Sequence, residues 1–300
     1  NNKLPHGEEE SIRNQMWGIS YAFQPILTYT IGAIFMKVAS VFSTETFTLL
    51  IAARLVSTIS MTLVVYFAIK ISQKLFKGII FTSQAFIKLD REFYLFIVFI
   101  AFQPITAFLA SYINNDSTAL LASTIIIYLW ILGLENNWKT KHCILLGITI
   151  GFCLLTYYNA YGYILCSIII CLISTISNKM KTKEIVQKAL IVMCVAFLIA
   201  GWWFIRNAII YDGDFMGMQA QNECGDKYAI EELKPSTRLT IQRQNKTIIE
   251  MLINERWLII TIKGFVGIFG GNSIIMSNKI YIYYFLLWLI GMVGCLIEFK

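Results

Sequence analysis

Three polar residues in a row, Asn114, Asn115 and Asp116, separate two long apolar runs of the sequence. A carboxylate at the end of membrane helices costs free energy, so it is a candidate functional residue. Asp116 is therefore a candidate catalytic residue or metal ligand. The same three residues are good turn formers and could merely cap a helix that begins near Ser117. The pattern therefore supports a catalytic and a capping interpretation of Asp116. Asn114 and Asn115 beside it are candidate substrate-binding residues.

Two arginines also stand in apolar surroundings: Arg54 interrupts an apolar run, and Arg206 follows two tryptophans. A guanidinium can donate two hydrogen bonds to a phosphate group, so both residues are candidates for binding a lipid phosphate. Arg54 could instead snorkel to the membrane surface, and Arg206 could simply belong to an interfacial aromatic belt.

Three consecutive glutamates, Glu8, Glu9 and Glu10, form a dense acidic cluster near the start of the chain. They are candidate catalytic carboxylates, although such runs are commonly solvated surface. Tyr157 and Tyr158 break a later apolar run, where they could line a sugar pocket or mark the membrane interface. The lone histidine of the first segment, His6, is a further candidate ligand.

The elements that position these side chains are apolar helices. Of the 300 residues, 57% are hydrophobic and 14% are charged, and the mean hydropathy is +0.64. This composition excludes an ordinary soluble domain, in which about 25% of residues are charged. The runs 120–134 and 143–155 are apolar on nearly every residue, whereas barrel strands alternate. We therefore predict an all-α, polytopic integral membrane protein.

We predict seven membrane spans from runs that approach the length needed to cross a bilayer. They lie at about 46–69, 92–112, 117–134, 143–157, 161–177, 189–207 and 279–297. Two further apolar stretches, 25–41 and 257–269, are predicted as interfacial or re-entrant helices.

The net charge of +7 arises from lysine and arginine clusters between apolar runs, which is the positive-inside pattern and not a nucleic-acid-binding patch. The clusters fall on one side, predicted to be the cytoplasm, and all the candidate polar residues fall on the other. The clustered residues are Lys70, Lys74, Lys77, Lys88, Arg91, Lys139, Lys141, Lys179, Lys181, Lys183 and Lys188.

These spans divide the chain into four predicted parts. Residues 1–24 form an outer segment, 25–210 the transmembrane domain, 211–278 an outer loop with an interfacial helix, and 279–300 the last span. Because the chain begins in polar sequence without methionine, we expect it to be a piece of a longer protein. All cysteines except Cys224 lie in or beside apolar runs, which predicts neither a disulfide nor a metal cluster.

Six segments, in order, resemble motifs of GT-C glycosyltransferases. The resemblance is to polyprenol-phosphate-dependent enzymes of the family 39 and aminoarabinose-transferase kind, and it is closest to an uncharacterised bacterial membrane-protein branch. The segments are 23–29 (FQPILTY, similar to QPPLYY), 53–57 (ARLVS), 114–117 (NNDS, similar to VNNDA), 147–156, 201–213 and 265–271.

The resemblance implies a membrane glycosyltransferase. It places Asp116 where family members carry an acidic residue that binds the acceptor or a divalent metal ion. It implies that Arg54 and Arg206 bind the lipid phosphate, and that Gln24 lines the same cavity. The implied donor is a polyprenyl-phosphate sugar, the acceptor is a cell-envelope glycan, lipid or protein, and the location is a bacterial inner membrane.

The chain departs from the family pattern at several points. The Asp-Glu motif of the first outer loop is not in this sequence, and Tyr157 stands where many members have lysine. Two other functions fit the same residues: a lipid or small-molecule carrier, and a non-catalytic partner of an envelope polymer system. A carrier would favour ionisable residues near the bilayer midplane and paired repeats, which the sequence does not clearly show.

Overall fold

The computed structural model describes residues 4–75, 97–178, 180–270 and 273–298, and most of these residues are helical, as predicted. In chain order the α-helices are α1 Leu27–Ala39, α2 Thr46–Leu75, α3 Pro104–Ser111, α4 Asn115–Glu135, α5 Thr140–Leu154, α6 Gly162–Ser177, α7 Thr182–Ile210, α8 Met218–Tyr228, α9 Ile248–Ile253, α10 Trp257–Val266 and α11 Asn278–Glu298. Three short 3-10 helices (Tyr21–Phe23, Tyr158–Tyr161 and Glu231–Leu233) and strands β1 Ile268–Phe269 and β2 Ile274–Ile275 complete the described elements.

Among the described residues, three helices are long and apolar enough to cross a membrane. Helices α2, α4 and α7 have 30, 21 and 29 residues. At about 1.5 Å per residue, each reaches the roughly 30 Å of a hydrocarbon core. The predicted spans 143–157 and 161–177 fall in the shorter apolar helices α5 and α6, and 279–297 falls in the apolar helix α11. The total of seven spans stays a prediction.

One predicted span is interrupted. Residues 92–96 of the predicted span 92–112 lie outside the described residues, and the remainder is a helical turn at 97–101 followed by helix α3. Helix α3 begins at Pro104, which has no N–H to donate and disfavours helical geometry at Gln103. The prediction of one continuous span is therefore wrong in its described part.

The two predicted interfacial helices are shorter than their apolar stretches. The first, α1, starts two residues after the buried Pro25 and ends at Ala39. The second, α10, ends at Val266. Ile268 and Phe269, which form β1, then pair with β2 in a short antiparallel hairpin. The predicted stretch 257–269 is thus helical as far as Val266, with Gly267 as the C-cap of the helix.

The contacts divide the chain into two compact units, of which the first comprises Asn1–Ile97 and Leu109–Arg238. Helix α4 is central in this unit, because it packs against α2 on one side and α5 on another. Buried hydroxyl groups join the helices: Ser117 Oγ donates to Ser57 Oγ at 3.0 Å, and the Thr28 and Thr118 hydroxyls are 2.5 Å apart. Such bonds contribute to helix association in an apolar environment.

Helices α5 and α7 run parallel and in close contact. A Cβ added at Gly147 would lie 2.8 Å from Val195 Cβ, and one added at Gly151 would lie 2.7 Å from Ile199 Cβ. The spacing Gly-x-x-x-Gly therefore lets the two backbones approach, as small residues do in membrane helix pairs.

The first unit has a lysine-rich end. Lys74 forms an ion pair with Glu135 at 2.5 Å, and Lys188 Nζ donates to the Asn137 carbonyl at 2.8 Å. Members of two predicted clusters thus meet where α2 and α4 end, and Lys139 of the third immediately precedes α5 there, as the positive-inside pattern predicts for one side. Lys77, Lys88, Arg91 and Lys179 lie outside the described residues.

The first segment and the region after α7 pack together at the opposite end. Ile230 N–H donates to the Met16 carbonyl at 3.1 Å, and Cys224 Sγ lies 3.2 Å from the Gly18 carbonyl. Gly18 has a φ of +67°, and a Cβ there would lie 2.3 Å from the Ala229 nitrogen. Only glycine therefore permits this contact.

The second unit comprises Val98–Phe108 and Leu239–Lys300. Its helix α10 packs on α11 through the rings of Phe265 and Trp288, whose centroids are 4.9 Å apart. The Tyr281 hydroxyl donates to the Gly267 carbonyl at 2.8 Å, and Lys263 Nζ donates to Asn278 Oδ1 at 3.0 Å. These bonds satisfy polar groups within an otherwise apolar part of the chain.

Candidate functional site

Asn114 caps helix α4. Its Oδ1 accepts a hydrogen bond from Ser117 N–H at 2.7 Å, while its Nδ2 donates to the carbonyls of Tyr112 at 2.7 Å and Leu109 at 2.9 Å. Its backbone N–H donates to Ser57 Oγ at 3.3 Å. The capping interpretation is confirmed for this residue, which fixes the position of the two residues that follow it.

Asp116 is the second residue of helix α4, and its side chain is exposed. The partial positive charge at a helix amino terminus stabilises a carboxylate at this position. The ion pairs found among the described residues involve other side chains, so no lysine or arginine there neutralises Asp116. The carboxylate can therefore contact a ligand.

Four tyrosines, Tyr21, Tyr29, Tyr112 and Tyr157, lie around Asp116, and we call them the tyrosine cluster. Tyr29, Tyr112 and Tyr157 are close enough to Asp116 to interact with its carboxylate electrostatically. The ring centroid of Tyr29 is 5.8 Å from that of Tyr21. A phenol that is protonated at neutral pH can donate a hydrogen bond.

Asn115 has a buried side chain without a hydrogen bond. It is 5% exposed, and neither Oδ1 nor Nδ2 finds a partner among the described residues. Each unpaired buried polar atom costs about 1–3 kcal/mol. Asn115 lies on the same helical face as Ala119 and Ala122, which belong to the same buried cluster as Ala160. Asn115 is therefore on the buried face of α4, the helix that contacts the break between α5 and α6.

The two tyrosines predicted at that break have different roles. Tyr158 donates from its hydroxyl to the Met216 carbonyl and packs edge-on against Tyr161, so it joins the break to the region after α7. Tyr157 is half-buried and belongs to the tyrosine cluster. Of the pair, only Tyr157 is placed beside Asp116 by these contacts.

Arg206 holds the first segment of the chain. Its Nη2 donates to the Pro5 carbonyl at 2.7 Å, and its guanidinium carbon lies 4.9 Å from the centroid of the Trp203 ring. The Tyr211 hydroxyl donates to the His6 carbonyl at 2.6 Å beside it. Phosphate binding by Arg206 stays a prediction, and the contacts observed here position the segment that leads to Tyr21.

Arg54 is exposed on helix α2, and no ion pair among the described residues includes it. It lies one helical turn from Ser57, whose hydroxyl accepts a bond from Ser117 next to Asp116. Arg54 therefore belongs to the same end of the unit as the tyrosine cluster. Its predicted contact with a lipid phosphate stays a prediction.

Gln24 links the first segment to helix α8. Its Nε2 donates to Gln221 Oε1 at 3.0 Å. Its own Oε1 is shielded from solvent and has no partner among the described residues. Like Asn115, Gln24 therefore has unused hydrogen-bonding capacity, and its predicted place in a cavity stays a prediction.

The acidic cluster of the first segment is not joined to Asp116 by any hydrogen bond or ion pair among the described residues. Glu9 instead accepts hydrogen bonds from the N–H groups of His6 and Gly7, both at 2.8 Å. The glutamates on either side of it are exposed. Glu9 thus stabilises its own loop, and a catalytic role for the three glutamates stays a prediction.

We expect Glu9→Gln to destabilise the protein in a pH-dependent way. Burial raises the pKa of Glu9, but the backbone N–H donors, including those of His6 and Gly7, outweigh it and hold the pKa below its ordinary 4.5. The carboxylate therefore contributes stability above pH 4.5 that is lost as pH falls through the lower folded value. At pH 7 the substitution should lower the free energy of unfolding by about 1 kcal/mol.

The measurement is the thermal unfolding temperature of the purified protein at pH 7 and below the folded pKa. Glu10→Gln is the matched control and should change nothing at either pH, because Glu10 is exposed. Equal losses in both variants, or a Glu9→Gln loss that persists in acid, would contradict the assignment.

The described residues do not assemble a metal centre. No group of three or more His, Cys, Asp or Glu side chains within them could hold an ion. Asp116 supplies one carboxylate beside phenols and amides, whereas Mg²⁺ and Ca²⁺ favour several oxygen ligands with carboxylates among them. A divalent metal ion at Asp116, which the resemblance implies, stays a prediction.

Comparison with protein-family models, curated proteins and solved structures finds no match to this chain. The part of the chain that the structure describes defines its class: it is mostly helical, with three helices long and apolar enough to cross a membrane. The resemblance to GT-C glycosyltransferases stays a prediction.

Most of the tyrosine cluster was not predicted from the sequence. Only Tyr157 was predicted, while Tyr21, Tyr29 and Tyr112 were not. The sequence indicates two of these as possible site residues, because Tyr112 stands four residues before Asp116 and Tyr29 ends the FQPILTY segment. It does not indicate Tyr21, because the place of Tyr21 depends on how the first segment packs.

Proposed function

We propose that this chain is a membrane glycosyltransferase, which moves a sugar from a polyprenyl-phosphate donor to a cell-envelope acceptor. The observation that carries the proposal is the exposed carboxylate of Asp116 at the end of the helices, beside the tyrosine cluster. Sugars are bound by side chains that combine an aromatic face with a polar tip, and tyrosine offers both. A carboxylate among such side chains can act on a sugar or acceptor hydroxyl.

In the proposed reaction, the acceptor oxygen bonds to the anomeric carbon of the sugar as the bond from that carbon to phosphate breaks. Asp116 accepts the proton of the acceptor hydroxyl as general base. The leaving polyprenyl phosphate gains negative charge, which a guanidinium stabilises. Arg54 is the candidate for this role, since it is exposed and unpaired among the described residues.

The surface of α2 supports the same placement of the donor. Ile51, Leu55 and Ile59 are 45%, 43% and 45% exposed on either side of Arg54. A prenyl chain lying in the bilayer against these side chains would bring its phosphate to the guanidinium, because the apolar chain and the charged head are adjacent in both molecules.

The charge distribution supports an active face outside the cytoplasm. The lysine-rich end of the first unit is opposite Asp116, and by the positive-inside rule lysine-rich ends face the cytoplasm. We propose a bacterial inner membrane as the location, with the transfer on its extracytoplasmic side.

The test is sugar transfer by the full-length protein in detergent, from undecaprenyl-phosphate glucose, mannose, N-acetylglucosamine and aminoarabinose to extracted envelope material. We expect turnover with at least one donor. No turnover with any donor, together with lipid movement in vesicles, would identify a carrier. No turnover and no lipid movement would favour a non-catalytic partner.

A further inference from the structure

Asn114 and Asn115 form a natural comparison, because they are adjacent, identical in type and equally buried at 5% exposure. The side chain of Asn114 uses both its amide atoms in hydrogen bonds, whereas neither atom of the Asn115 amide has a partner among the described residues. Native folds rarely leave such a group unpaired without a reason. We propose that Asn115 is a specificity-determining residue, which binds two neighbouring hydroxyl groups of the transferred sugar. This inference rests on the proposed function.

The unpaired atoms define the chemistry of the ligand group. The amide presents one acceptor, Oδ1, and one donor group, Nδ2, side by side, and both lack partners. A phosphate or carboxylate could satisfy the donor but not the acceptor, because an ionised oxyanion has no proton to give. Two neighbouring hydroxyls supply both, since each can donate and accept. The pattern therefore favours a neutral diol over an anion.

The position of Asn115 suits contact with the sugar that reacts at Asp116. The two side chains are consecutive and are separated by about 100° around the helix. Asp116 is exposed, while Asn115 is buried in helix α4, which contacts the 3-10 helix Tyr158–Tyr161 at the break after α5. The amide atoms are shielded from solvent, so a ligand reaches them when a covering side chain rotates. Tyr157, half-buried at that break, is the side chain that rotates in the proposal.

Asn115→Leu tests the inference by separating stability from recognition. Leucine is similar in size and removes the unpaired amide, so the unfolding temperature should stay the same or rise. The wild type should transfer the natural sugar at least about 10²-fold faster than an analogue lacking one of the two hydroxyls, because a site built for a hydroxyl rejects its absence. In the variant this ratio should fall to about threefold or less.

The substrates are undecaprenyl-phosphate glucose and mannose with analogues that each lack one hydroxyl, and the readout is kcat/KM beside the unfolding temperature. Asn114→Leu is the matched control for stability and should lower the unfolding temperature, because it removes the cap of α4. Asn115→Ala repeats the comparison with a smaller side chain if leucine prevents folding.

Three outcomes would overturn the inference. An active wild type and an Asn115→Leu variant with equal discrimination would overturn it while leaving the proposed function intact. A loss of stability in both Asn115 variants as large as that in Asn114→Leu would show a structural role instead. A wild type that transfers neither sugar nor any other donor would overturn the proposed function, and this inference with it.

Discussion

Asp116→Asn is expected to lower the rate of sugar transfer by about 10²- to 10⁴-fold, the usual contribution of a general base. Asparagine has almost the same shape but cannot take the proton of the acceptor hydroxyl. Donor binding depends on other side chains in the proposal, so KM for the donor should change little while kcat falls. Initial rates measured over a range of donor concentrations with the full-length protein in detergent give both quantities.

Asp212→Asn is the matched control for this substitution. Asp212 is exposed and has a φ of +48°, a conformation that asparagine also adopts without strain. The Asp212→Asn variant should transfer sugar at the rate of the wild type. Both variants should stay folded, since the charge of Asp116 at the helix terminus contributes only about 0.3–1 kcal/mol. Full activity in Asp116→Asn, or equal losses in the two variants, would contradict a general-base role.

The helices of the fold could largely be predicted from the sequence, because they are set by local patterns. Apolar runs long enough to cross a bilayer predicted α2, α4 and α7, and each is a long apolar helix. The cap of α4 was also predictable, since an Asn side chain satisfies the first N–H groups of a helix over only three residues. The convergence of lysine clusters followed from the cost of placing charge in lipid.

The candidate site was harder to predict, because its contacts join distant parts of the chain. Arg206 and Pro5 are 201 residues apart, and Gln24 and Gln221 are 197 apart. No local pattern specifies which carbonyl a guanidinium will meet at that separation. The same limit explains why Tyr21 was not predicted beside Asp116.

Asn115 shows a further limit of sequence reasoning. In the sequence it is equivalent to Asn114, as both are good turn residues. The structure distinguishes them. Asn114 precedes helix α4 and caps its first turn, whereas Asn115 is the first residue of the helix and is buried without a hydrogen bond. A one-residue shift in the helix start would exchange their roles, and the positions of helix ends are the least certain part of such predictions.

Gly151→Ala is expected to destabilise the protein, although helix propensity alone predicts the opposite. In a helix interior, alanine is favoured over glycine by about 1 kcal/mol. At this position the added Cβ would lie 2.7 Å from Ile199 Cβ and 3.2 Å from the Ala196 carbonyl oxygen. Both atoms belong to or adjoin the backbone of α7, so neither can move without shifting that helix. Overpacking of this kind costs about 1–3 kcal/mol, which exceeds the gain.

Gly291→Ala provides the control, because Gly291 lies inside helix α11 and an added Cβ there meets nothing within 4 Å. It should leave the unfolding temperature unchanged or raise it, while Gly151→Ala lowers it. Gly147→Ala should behave like Gly151→Ala, since its Cβ would lie 2.8 Å from the Val192 carbonyl oxygen. Because α7 also carries Arg206, a shift of this helix should reduce sugar transfer as well. A stabilising effect at Gly151 would mean that α5 and α7 are not in close contact there.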